Sequence, residues 1–162
     1  MIASLPDISS KTAAMPFPTT LDHPGPPRIL IADDDRNIRL ALRACLEVEG
    51  YDIAEAQNGR EALRAVVQQS PDLLLLDLAM PEMDGIAALR ELATTYRAMK
   101  PRIVILTAWG SSTAAQSADR YGASAFLEKP LDAASLRSII AQVLSLPRNH
   151  ATPDLPPDHY LS

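Results

Sequence analysis

A doubly wound α/β fold on a parallel sheet is what this sequence predicts. Three observations carry the prediction. Short apolar runs alternate with amphipathic segments through the middle of the chain. Two of those runs, Asp72–Asp77 (DLLLLD) and Arg102–Thr107 (RIVILT), are apolar without alternation, as strands buried on both faces are. Proline is concentrated outside this middle, six of the 14 before residue 28 and four after residue 146. Strands alternating with helices are joined by right-handed crossovers.

The elements follow in order. The first strand is expected at Arg28–Ala32 (RILIA). A helix over Arg36–Glu49 places Ile38, Leu42, Cys45 and Leu46 on one stripe, with Asp35 as a cap or first-turn acid. Cys45 is read as core, and Arg36 and Arg39 as a solvated face. The second strand, Tyr51–Glu55, leads to a helix over Gly59–Gln69. Asn58 is its N-cap, and Glu61 three residues on suggests a capping box. After the third strand, Asp84 and Gly85 form a cap and turn before a helix over Gly85–Tyr96. The fourth strand precedes a helix over Ser112–Tyr121. A fifth strand, Ser124–Glu128, precedes a helix over Ala133–Leu146 capped by Asp132. Its Leu136, Ile139, Ile140, Val143 and Leu144 follow the i, i+3, i+4, i+7, i+8 pattern. Residues 28–146 therefore make one domain, with a Pro-rich flexible tail at 1–27 and a second flexible tail at 147–162.

Composition removes several classes of function. A net charge of −5 offers no general attraction to phosphate backbones, so direct nucleic-acid binding is not expected. No run of about 18 apolar residues exists to span a membrane, and the N-terminus does not read as a signal peptide. The single cysteine excludes an internal disulfide and fits a reducing cytoplasm, where we expect the protein. The three histidines, His23, His150 and His159, lie near the chain ends, so the central region holds none for a zinc site or a Ser-His-Asp triad.

In doubly wound sheets, ligands bind beyond the carboxyl ends of the strands. There the sequence places Asp33, Asp34 and Asp35 after the first strand, Asp77 at the end of the third, Thr107 at the end of the fourth, and Glu128 and Lys129 at the end of the fifth. Clustered carboxylates repel unless a cation joins them, and Mg²⁺ suits hard oxygen ligands. A carboxylate held there can be a nucleophile and form an aspartyl-phosphate. A lysine and a hydroxyl beside it supply charge and a donor to phosphoryl oxygens.

The segments ILIADDD, LLLLDLAMPEMDG, ILTA and FLEKP, in this order on a five-fold β/α alternation, resemble the signature of bacterial response-regulator receiver domains. The resemblance covers about residues 28–146. It implies a flavodoxin-like fold with strand order 2-1-3-4-5. It implies Asp77 as phospho-acceptor and a Mg²⁺ ion held by Asp33, Asp34, Asp77 and the backbone carbonyl of Ala79. Asp34 would ligate directly, and Asp33 through water. Thr107 takes the place of the switch hydroxyl, Phe126 that of the switch aromatic, and Lys129 contacts the phosphoryl group. Pro130 follows through a bond that is typically cis in the family. Trp109, two residues past Thr107, is read as an exposed loop aromatic, with a lid over the phosphoryl site as the functional alternative.

The function implied is a two-state switch phosphorylated by a sensor histidine kinase or a histidine phosphotransfer protein, which acts on a downstream protein target. The family also pairs through the fourth and fifth helices, although the Ala/Ser-rich fourth helix here offers no clear apolar patch. With 16 residues after Leu146, a stand-alone receiver or phosphorelay intermediate is expected, with a truncated part of a larger transcriptional regulator as the alternative. A turnover enzyme is not expected. Haloacid-dehalogenase-like enzymes need a second Asp two residues after the nucleophile, where this chain has Ala79. No G-x-G-x-x-G turn supports a dinucleotide site.

Overall fold

Five parallel strands form one sheet in the order β2-β1-β3-β4-β5. In the computed structural model, residues 23–108 and 112–146 are described. The strands are β1 (Arg28–Ala32), β2 (Asp52–Ala56), β3 (Leu73–Asp77), β4 (Arg102–Thr107) and β5 (Ala125–Glu128). Between and after them lie α1 (Arg36–Glu47), α2 (Gly59–Gln69), α3 (Gly85–Thr94), α4 (Ser112–Arg120) and α5 (Ala133–Ser145). A short 3₁₀ turn, Arg97–Met99, leads into β4. No helix among the described residues is long and apolar enough to cross a membrane.

The alternation along β1 and β3 assigns the two layers. Leu30, Ala32, Leu74 and Leu76 face one side with Val66, Leu89 and Leu92 from α2 and α3. Ile29, Ile31, Leu73 and Leu75 face the other with Leu42, Leu46, Leu136 and Ile140 from α1 and α5. Successive strand residues point to opposite faces, so a strand covered on both sides must be apolar throughout. Leu73, Leu74, Leu75 and Leu76 are each fully buried. Leucine is a good helix former, yet four in a row stand in a strand here. Burial of each contributes about 1.5–3 kcal/mol, against helix-propensity differences of well under 1 kcal/mol. Pro71 and Pro81 also bracket the run too closely for a long helix.

The structure trims most expected elements by one or two residues. The first helix stops at Glu47 rather than Glu49, because Glu49 and Gly50 turn back onto the carbonyls of Leu46 and Glu47 and Gly50 takes a φ of 90°. Helix starts lie where their caps place them. Asp35 accepts from the amides of Asn37 and Ile38, Asp84 from Ala87 and Asp132 from Ser135. The capping box of α2 is displaced by one residue. Asn58 Oδ1 accepts from the Glu61 amide at 2.8 Å, but the Glu61 carboxylate returns to the amide of Gln57, one residue before the cap.

Of the segment read as an N-terminal tail, residues 23–27 are described. Pro24, Gly25 and Pro26 are exposed, while Pro27 is buried and its carbonyl accepts from the Asp52 amide. The remainder of that segment and residues 147–162 fall outside the described residues, as does Trp109.

Candidate functional site

Sheet register brings the acids together. Ala32 pairs with Leu76, so the next residues, Asp33 and Asp77, stand at the same level on adjacent strands. Asp77 pairs with Leu106 in β4, and Thr107 pairs with Glu128 in β5. Lys129 follows, its amide donating to the Thr107 carbonyl at 2.8 Å. The β1/β3 boundary is where the chain reverses its winding direction, which opens a crevice at the strand ends.

Carboxylate oxygens of Asp33, Asp34 and Asp77 lie within 4.8 Å of one another. Asp33 is fully buried and Asp77 nearly so, while Asp34 is exposed at the mouth. Lys129 Nζ sits 2.9 Å from Asp33 Oδ2 and 3.4 Å from Asp77 Oδ2. Asp33 Oδ1 accepts from the Asp35 amide at 2.9 Å, and Asp77 Oδ1 from the Ala79 amide at 3.2 Å.

Burial pushes the Asp77 carboxyl above the usual aspartate range. The Ala79 amide and Lys129 oppose that rise, and the neighbouring Asp33 adds to it. Burial pulls the Lys129 ammonium down, but its hydrogen bond to Asp33 and the field of Asp77 outweigh this, so it stays charged above the ordinary lysine range. Three carboxylates therefore face one cationic side chain. The donor set is hard oxygen only, which fits a divalent cation such as Mg²⁺.

The loop after Asp77 is fixed by glycine. Gly85 packs so closely that an added Cβ would lie 2.4 Å from the Asp77 carbonyl oxygen and 2.7 Å from Leu78 Cα. Its amide donates to the Leu78 carbonyl at 3.0 Å. The start of α3 thus abuts the backbone of the central aspartate.

The structure gathers Asp33, Asp34, Asp77, Ala79, Thr107 and Lys129 on one rim. Phe126 of β5, level with Ile105 of β4, is half-buried and packs against the cluster beneath α2 and α3. Pro130 is exposed, and the Lys129–Pro130 peptide is cis. Asp35 and Asp84 serve as caps, as read from sequence. Cys45 is half-buried against the α1/α5 layer.

One expectation is corrected. Arg39 does not belong to a solvated face. Its side chain is only 12% exposed and pairs with Glu55 of β2 at 3.1 Å. Its Nη1 donates to the backbone carbonyls of Asp33, at 2.8 Å, and Asp34, at 3.2 Å. Those carbonyls lie at the open end of β1, where the sheet supplies no donor, and the arginine provides one. Helical spacing gave no sign of this, because Glu55 comes from a different element. Arg36 is exposed, as expected.

Comparison with known proteins agrees with the geometry. The sequence profile of the response regulator receiver domain matches residues 29–141. The chain is 36% identical over 122 residues to Sporulation initiation phosphotransferase F of Bacillus subtilis, covering 75% of this chain and 97% of that protein. It is 38% identical over 119 residues to Regulatory protein AtoC of Escherichia coli, covering 74% of this chain but only 25% of that longer protein. Among solved structures, the signal receiver domain of a putative Luxo repressor protein from Vibrio parahaemolyticus superimposes with a TM-score of 0.68 at 31% identity, covering 74% of this chain and 90% of that one. With a five-stranded 2-1-3-4-5 sheet and an acidic pocket of Asp33, Asp34 and Asp77, this chain belongs to the response regulator receiver family, the phosphoacceptors of two-component signalling.

Proposed function

We propose that Asp77 accepts a phosphoryl group from a phosphohistidine on a sensor histidine kinase or a phosphotransfer protein. The convergence of Asp33, Asp34 and Asp77 around a single lysine carries this reading. A carboxylate oxygen of Asp77 attacks phosphorus, the P–N bond breaks, and its electron pair returns to the imidazole, which takes up a proton from solvent. Burial keeps water away from the new acyl phosphate, and Lys129 stands where it meets the added negative charge.

Asp33, Asp34, Asp77 and the Ala79 carbonyl would hold Mg²⁺. When bound, the ion supplies charge neutralisation for the clustered acids and for the phosphoryl oxygens. Thr107 donates its hydroxyl to the phosphoryl group, and Phe126 moves inward behind it. This local charge event biases the face formed by α4, β5 and α5 toward a downstream protein.

An apolar groove of about 490 Å³ between α1 and α5 supports docking of the donor protein beside the site. Ile38, Ala41, Leu42, Pro130 and Leu131 line it, and it reaches Lys129. We place the protein in the cytoplasm, as a domain spanning residues 28–146 between two tails. Its relatives include a protein matched over 97% of its length and longer proteins of which it matches only 53% or 25%. A phosphorelay intermediate is therefore one role, and the receiver of a larger transcriptional regulator the other.

The test is mass spectrometry of the protein with Mg²⁺ and acetyl phosphate, beside Asp77→Asn. A Mg²⁺-dependent gain of one phosphoryl mass, absent from the variant, is expected. Equal labelling of the variant would move the acceptor elsewhere.

A further inference from the structure

We propose that Arg39, oriented by Glu55, is a positioning residue that holds the β1–α1 loop in the conformation able to take a cation. The inference rests on the reading of Asp33 and Asp34 as cation ligands.

Asp33 and Asp34 are adjacent in the chain and both turn a carboxylate toward Asp77. Without a cation, that loop is driven to open. Within it, the Asp35 amide ties back to Asp33 Oδ1, and Lys129 reaches the other Asp33 oxygen. Both of these hydrogen bonds end on Asp33, and Asp34 beside it is exposed.

Arg39 grips the opposite side of the loop. One guanidinium nitrogen, Nη1, donates to the carbonyls of both Asp33 and Asp34. With both carbonyls drawn toward α1, the two side chains are left facing the crevice. The guanidinium is itself set in place, because Nε donates to Glu55 Oε2 at 3.1 Å. Glu55 also accepts from Arg43, which pairs in turn with Glu47. Burial pushes the Glu55 carboxyl up, but the hydrogen bonds from Arg43 and Arg39 win and hold it ionised below the usual glutamate range. A planar fork serves a carboxylate and two carbonyls at once, which a lysine cannot do.

The two arginines provide an internal control. Both pair with Glu55, but only Arg39 touches the acidic loop. Partners that orient metal ligands from behind typically change affinity by about 10–100-fold when removed.

The experiment is calorimetric titration of the full chain with Mg²⁺, comparing wild type, Arg39→Ala and Arg43→Ala, with hydrogen exchange of the Asp35 amide in the metal-free proteins. Arg39→Ala should weaken Mg²⁺ binding by about tenfold or more and speed exchange at Asp35. Arg43→Ala should leave both unchanged. Phosphorylation by acetyl phosphate should need more Mg²⁺ in Arg39→Ala, yet reach the wild-type plateau at saturation. Wild-type affinity in Arg39→Ala, or an equal loss in Arg43→Ala, would overturn the proposal. Should Arg39→Ala not fold, Arg39→Lys and Glu55→Gln take its place, and unchanged Mg²⁺ affinity in both overturns it equally. If the wild type binds no Mg²⁺ at all, the cation reading itself falls, and this inference falls with it.

Discussion

The sheet buries carboxylates at both ends, and Asp72 at one end is treated very differently from Asp77 at the other. At the amino end of β3, Asp72 is fully buried. Its Oδ2 accepts from the Arg28 amide and the His23 ring, both at 2.8 Å. Its backbone joins the ladder on both sides, the amide to Arg28 and the carbonyl to Arg102. At the carboxyl end, Asp77 has one backbone donor at 3.2 Å and a lysine at 3.4 Å, with Asp33 beside it. A buried charge is stabilising only when paired and hydrogen-bonded. Asp72 meets that condition and fastens chain segments. Asp77 meets it poorly, and burial raises its pKa. The lesson is that burial of an acid does not identify a site, whereas burial with donors left in deficit does.

The contrast can be broken most sharply at its functional end. Asp77→Asn should lose phosphoryl uptake completely, while Asp72→Asn should keep it in whatever fraction remains folded. Mass spectrometry after acetyl phosphate treatment reads both. Next, Gly85→Ala should cost about 1–3 kcal/mol, because the added methyl meets backbone that cannot yield. Urea titration measures the loss, and phosphorylation should fall with it, since the displaced atoms belong to Asp77 and Leu78. Asp72→Ala should cost a similar amount, about 1–3 kcal/mol, by removing the buried acceptor of the part-buried Arg28 amide. Here the phosphorylation rate of the folded protein should not change.

Because the folded-state pKa of Asp77 is raised, the folded protein holds its proton more tightly than the unfolded chain does. The stability this gives is fully present below the unfolded pKa and is lost as pH rises through the folded one. In EDTA, Asp77→Asn should therefore melt above wild type at neutral pH. The difference should vanish in acid below the ordinary aspartate range. Thermal melts at the two pH values test this, and a variant less stable than wild type at neutral pH would contradict it. The smallest effect belongs to Arg28→Ala. Its Nε pairs with Asp52 at 2.7 Å, but both side chains are well exposed, so about 0–1 kcal/mol is expected.

Much of this was legible without coordinates because it is local. Helix caps at Asp35, Asn58, Asp84 and Asp132 bond amides two or three residues on, so their signature lies within one short window of sequence. The candidate site was legible for a related reason. An apolar run predicts a strand, and in an α/β alternation the residue ending each run lands on one rim. Arg39 was misread because its partners do not share its period. Glu55 lies 16 residues away on another element, and the two carbonyls belong to backbone that no residue type announces.

By itself, the sequence determined the layers and the rim. Continuous apolar runs must be buried on both faces, and Asp33, Asp34, Asp77, Thr107 and Lys129 close those runs whatever their neighbours. The 2-1-3-4-5 order came only through resemblance to a family, since periodicity does not say which strand lies beside which. Tertiary structure decided the register that levels Asp33 with Asp77, the reach of Lys129 across 96 residues to Asp33, and the pairing of His23 with Asp72 across 49. These contacts depend on strand adjacency, and adjacency is set by packing of the whole sheet rather than by any segment within it.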